Sequence, residues 1–97
     1  MKQDKNIIWL EYINKNIKLS NGRKISKKYA IEKPNINELY EATKILNLNP
    51  IIEPEKKYPR YYSENKGRII IDKQSSYNKK KLLIIISKLI KEYRNKK

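Results

Sequence analysis

The run LLIIISKLIKEY at 82–93 decides what this chain can fold into, because five consecutive aliphatics suit a buried strand as well as a helix. Its continuation resolves the choice. Leu82, Ile86, Leu89 and Tyr93, flanked by Leu83 and Ile90, keep a helical period to the end. With a helix there, the upstream segments fall into place around it. NIIWLEYI at 6–13 sets Ile7, Trp9 and Glu11 against Ile8, Leu10 and Tyr12, an alternation that predicts a strand with one well-buried face. Asn35 and Glu38 have the N-cap and N3 spacing of a capping box, with Pro34 just ahead. Ile36, Leu39, Ala42, Thr43 and Leu46 then recur at helical spacing, and the helix should end near Asn47–Asn49, before Pro50. Ile51 and Ile52 begin a short strand that Pro54 keeps from being long or central. GRIIIDK at 67–73 reads as a third strand and QSSYN at 74–78 as the turn after it.

The order is therefore β-α-β-β-α. A single helix joining the first two strands makes them parallel by the right-handed crossover rule, and the third strand pairs antiparallel between them. The expected fold is of the α/β type, an α+β sandwich with a three-stranded sheet of order 1-3-2 and both helices on one face. Residues 1–97 form one domain with its core at about 6–93, a basic loop at 14–28, a second at 56–66, and a basic tail at 94–97 expected to fray. In this topology both loops leave the same end of the sheet.

Charge points to the partner. Lys and Arg number 24 against 10 Asp and Glu, a net charge of +14, which implies a polyanion and nucleic acid first among them. Cysteine and histidine are both absent, which removes disulfides, zinc sites, thiol nucleophiles and imidazole acid–base pairs. No cofactor or metal is expected. The N-terminus lacks the apolar core of a signal peptide and LLIII at 82–86 is too short to span a bilayer, so the sequence reads as a cytoplasmic monomer without membrane insertion. Some lysine excess could be compositional drift, but drift does not segregate charge. Between Glu11 and Glu32 stand Lys15, Lys18, Arg23, Lys24, Lys27 and Lys28 without one acid, whereas Glu32, Glu38, Glu41, Glu53 and Glu55 crowd residues 32–55.

Particular residues then become candidates for contact with nucleic acid. Gly22 in NGRK can take positive φ and lets the backbone approach RNA closely, while Arg23 and Lys24 project toward phosphates or base edges; the plain alternative is a solvated turn. Lys15, Lys18 and Lys27 add charge to the same loop. In KKYPRYY at 56–62, Pro59 stiffens the chain, Lys57 and Arg60 can engage phosphate or guanine, and Tyr58 or Tyr61 can stack on a base or simply rim the core. Tyr12, at the end of the first strand, can donate to RNA or close the core, and Arg68 sits where it can reach the second loop. Trp9 reads as core. Lys79, Lys80 and Lys81 open the last helix at its positive end, where solvation is the plainer reading and anion binding the alternative. With only Ile17 and Leu19 as anchors, residues 14–24 are expected to be mobile before RNA binds and the Pro59 loop fixed.

The ordered set IIWLEYI, NGRKI, AIEKP, KKYPRYY and GRIIID resembles the nineteen-kilodalton protein subunit of the signal recognition particle in its archaeal form, over roughly residues 6–92. The resemblance implies a β-α-β-β-α fold and binding of signal recognition particle RNA. It also implies contact with the tips of RNA helices six and eight, which prepares the RNA for the signal-sequence-binding GTPase subunit. Members of that family usually carry Pro where this chain has Leu10, Arg where it has Lys24 and Pro where it has Ser26. Two other classes compete. A small phosphate hydrolase of the acylphosphatase kind needs a Gly-rich cradle, which a chain with just Gly22 and Gly67 does not offer. A generic basic binder of structured RNA, of the ribosomal type, is the other alternative, and the lysines form no amphipathic membrane helix.

Overall fold

The computed structural model describes residues 5–58 and 66–96. Three strands, β1 (Lys5–Trp9), β2 (Ile51–Glu53) and β3 (Arg68–Asp72), form a sheet of order β1-β3-β2 in which both outer strands run antiparallel to β3. Helix α1 (Ile36–Ile45) connects the two outer strands, and α2 (Lys79–Asn95) follows β3. The topology is the one the sequence predicts.

Direct cross-strand partners share a face of a sheet, so Ile8, Ile69 and Ile52 lie in one row, and Ile7, Ile70 and Ile51 in a row on the opposite face. The first row looks toward the helices. Ile8, Ile69 and Ile71 are fully buried with Leu39 of α1 and with Leu82, Leu83, Ile86 and Ile90 of α2 in one core. On the open face Ile7 and Ile51 are exposed. Burying one α2 side chain of this size contributes about 1.5–3 kcal/mol, and the helix brings Leu82, Leu83, Ile86 and Ile90 onto one buried face.

The capping box is present in full: the Asn35 side chain accepts from the Glu38 amide at 2.9 Å, and Glu38 Oε1 accepts from the Asn35 amide at 3.1 Å. Helix α1 stops at Ile45 because Asn47 and Asn49 adopt positive φ of 60° and 50°, values that asparagine tolerates better than most residues. Among the described residues no helix is long and apolar enough to cross a membrane.

Two boundaries differ from the sequence reading. The first strand ends at Trp9 rather than Ile13, and Leu10–Ile13 is a 3-10 turn with all four residues buried. The cause lies in its partner. Strand β3 begins at Arg68 after Gly67, whose φ is 126°, and the Leu10 amide donates to the Gly67 carbonyl at 3.1 Å where the ladder runs out. Arg94, placed by the sequence reading in a fraying tail, lies inside α2. Its guanidinium meets both carboxylate oxygens of Glu38 at 2.7 Å and donates to the Glu32 and Lys33 carbonyls at 2.8 and 3.2 Å.

Candidate nucleic-acid interface

The 3-10 turn after β1 delivers Tyr12 to the end of the sheet, and the basic loop folds around it. The Lys24 amide donates to the Tyr12 carbonyl at 2.9 Å, the Ile31 amide to Ile13 at 2.8 Å, and the Lys15 amide to Ile31 at 2.7 Å. The loop is therefore tied down at both ends. Within it Ile17 and Ile25 are buried while Leu19 is exposed, so the apolar anchors are Ile17 and Ile25 rather than Ile17 and Leu19. Arg23 joins those anchors. Its Nε donates to the Ile25 carbonyl at 2.8 Å and its Nη1 to the Ile17 carbonyl at 2.6 Å. The side chain expected to reach freely toward RNA instead spends half its fork holding the loop in shape.

Gly22 takes φ of 133°, as the NG turn predicts, but its lack of a side chain serves a protein contact. A Cβ at Gly22 would stand 2.7 Å from Cε2 of Tyr58. Tyr58 packs edge-on against Trp9 and Tyr12, with ring centroids 5.4 and 5.9 Å away. The segment leaving β2 and the basic loop thus meet through one tyrosine, half-buried rather than displayed as a free platform. Trp9, nearly buried as expected, carries the Arg68 guanidinium 5.0 Å from its ring. Arg68 also pairs with Glu53 across the sheet, so its charge is partly compensated at home.

The cations fall into two groups. Lys15, Lys18, Arg23 and Lys27, with Asn16, Ile17, Leu19 and a single acid, Glu32, line an open cleft of about 770 Å³. Lys15, Lys18 and Lys27 are exposed, and none of them forms an ion pair with a carboxylate of the described residues. The second group surrounds Tyr12: Lys24 Nζ lies 5.3 Å and Lys79 Nζ 4.9 Å from its ring centroid. Lys79 is the residue the sequence reading undervalued. Burial and then the nearby Lys24 charge lower its pKa, while burial raises that of the Tyr12 hydroxyl, aided by Tyr58 and Glu11. The available signal was local: a helix that opens on three lysines carries cations where its dipole favours acids. Lys57 is exposed beside this cluster, whereas Arg60 and Tyr61 lie outside the described residues.

A fully buried carboxylate adjoins the cluster. Neither oxygen of Glu11 has a hydrogen-bond partner among the described residues, and burial pushes its pKa up to about 7. Alternation had placed Glu11 on a strand face; the turn places it inside. Among the described residues no group of acids, histidines or cysteines could hold a metal ion.

Comparison with known proteins identifies the relatives of this chain. A family described as SRP19 protein matches residues 7–93. The signal recognition particle 19 kDa protein of Methanosarcina acetivorans is 47% identical over 66 residues, which span 68% of this chain and 65% of that protein. Its counterpart in Methanococcoides burtonii is 40% identical across 96% of both chains. A crystal structure of SRP19 in complex with the S domain of signal recognition particle RNA superposes with a TM-score of 0.79 at 41% identity, covering 88% of this chain and 95% of that one. With a match that runs almost from end to end, and with the predicted sheet order observed, the chain belongs to the family of signal recognition particle 19 kDa proteins.

Proposed function

We propose that this protein is a non-catalytic, monomeric RNA-binding subunit of the signal recognition particle, acting in the cytoplasm as a single domain. The observation that carries the reading is the meeting of the 14–28 loop with the segment after β2 through Gly22 and Tyr58, beside two groups of lysines without carboxylate partners among the described residues. Such a surface suits phosphate-rich, folded RNA: the cations meet the backbone, and the braced loop presents them in a fixed shape. Lys15, Lys18 and Lys27 would follow one stretch of backbone along the cleft. Tyr12, Lys24, Lys57, Tyr58 and Arg68 would face a second, and Arg60 and Tyr61, which lie outside the described residues, are proposed as contacts from the sequence alone. Arg23 and Gly22 act chiefly by shaping the loop.

The family resemblance supports a finer reading. The protein would hold the tips of RNA helices six and eight side by side, so that the signal-sequence-binding GTPase subunit meets a prepared RNA. Footprinting of the S domain RNA with and without the protein tests this. Protection at both helix tips is expected. Protection scattered over duplex positions would reduce the protein to a generic basic binder of structured RNA.

A further inference from the structure

Lys79 is set apart from the other lysines of the described residues by what surrounds it. It is the first residue of α2, an element outside both basic loops, yet its ammonium reaches over the ring of Tyr12, 4.9 Å from the centroid. Lys24, from the basic loop, reaches the same ring at 5.3 Å. Two cations sharing one aromatic ring repel each other, and the ring's quadrupole compensates only part of that. No carboxylate among the described residues pairs with either one. The repulsion is felt: Lys24 helps to depress the Lys79 pKa, after burial, which contributes most. An arrangement that is unfavourable in the free protein becomes favourable once an anion lies between the two ammonium groups. A phosphodiester suits that place, because its two non-bridging oxygens can accept from two donors at once.

We infer that Lys24 and Lys79 together hold one phosphodiester of RNA beside the Tyr12 ring, so that helix α2 supplies a third wall to the interface. This rests on the RNA-binding reading above and adds to it a site that joins the basic loop to the last helix. Lys80 is the natural control. It is the next residue of the same helix, exposed as Lys79 is, but with no ring or acid in contact among the described residues. Diffuse attraction would treat the two lysines alike.

The test measures binding of the S domain RNA and of an unrelated duplex by wild type, Lys24→Gln, Lys79→Gln, Lys80→Gln and the Lys24→Gln/Lys79→Gln double variant. Each of the first two substitutions is expected to lose about tenfold in affinity for the S domain RNA, the size of one charge-assisted contact. Lys80→Gln should lose less than about threefold. If both ammonium groups hold the same phosphate, the double variant loses much less than the product of the single losses. Thermal melting provides a readout that a merely structural role would move the other way: Lys79→Gln should melt at or above the wild-type temperature, since it relieves repulsion. Equal losses for Lys79→Gln and Lys80→Gln, fully multiplicative losses in the double variant, or a lowered melting temperature for Lys79→Gln would overturn the shared phosphate while leaving the function intact. A wild-type protein that fails to prefer the S domain RNA would overturn both.

Discussion

Glu11 shows how far one side chain can depart from the pattern around it. The fully buried carboxyl, without a hydrogen-bond partner among the described residues, is held to a pKa of about 7 against an ordinary 4.5. Because the folded pKa lies above the unfolded one, the folded state binds the proton more tightly. The group therefore favours folding fully below about pH 4.5, and that contribution is lost progressively as pH rises to about 7. The total is about 3 kcal/mol at 1.4 kcal/mol per pKa unit. Glu11→Gln, neutral at every pH, should abolish this slope. In urea unfolding it should exceed wild type by about 2–3 kcal/mol at pH 8 and match it near pH 4; parallel pH profiles for the two proteins would show that the carboxyl titrates normally. Arg23 presents the opposite case, a charge whose hydrogen bonds are well used. Its donors to Ile17 and Ile25 span the turn that contains Gly22, so Arg23→Lys, which cannot bridge two carbonyls with a planar fork, should loosen the loop by about 1–2 kcal/mol. The free protein should then exchange its amides faster between residues 17 and 25, and RNA affinity should fall. Unchanged exchange would mean that the loop is ordered only by RNA, as the sequence alone suggests.

At the scale of elements, what the sequence made legible is what is encoded locally. The Asn35–Glu38 box, the asparagine stop after α1 and the helical period of 82–93 each depend on residues within a few positions of one another, and each is found where predicted. The end of β1 was not legible, since it is set by where β3 begins, nearly sixty residues away, with Leu10 donating to Gly67. A proline in place of Leu10 would lack the amide that makes that bond. Half of the site shared this fate. The cations of the 14–28 loop were visible as an acid-free block, but Tyr58 against Gly22, and Lys79 against Tyr12, are contacts between segments far apart in the chain. Arg94 illustrates the same limit. Among terminal lysines it looked like one more solvated charge, yet it ties the last turn of α2 to the N-terminus of α1 through Glu38, which is already half of a capping box. Arg94→Met should cost about 1–3 kcal/mol in denaturant unfolding, because Glu38 and two backbone carbonyls lose a bidentate donor that is only partly exposed. Arg94→Lys should recover less than half of the loss, a result that simple charge neutralisation would not give.

Across the whole molecule, the arrangement of charge relates the fold to its task. The sheet's open face carries self-compensated pairs, Lys5 with Asp72 and Arg68 with Glu53, and α1 carries Glu38 and Glu41, whereas the end of the sheet where the loops meet gathers lysines without carboxylate partners among the described residues. A net charge of +14 spread evenly would attract any polyanion from any direction. Gathered at one end, the lysines without carboxylate partners among the described residues orient the encounter and leave the shape of the braced loops to select among RNAs. The salt dependence of binding should separate these contributions. If roughly six phosphates are neutralised, log K should fall against log salt with a slope of about 4–5 in magnitude. Replacing Lys15, Lys18 and Lys27 with glutamine should flatten that slope by about 2–3 on the S domain RNA. Replacing Lys44 of α1, Lys88 of α2 and the α2 cap residue Lys96, which removes the same charge from outside the proposed interface, should change it by less than about 1. Equal flattening by the two triple variants would mean that net charge, rather than its placement by the fold, governs how this protein meets RNA.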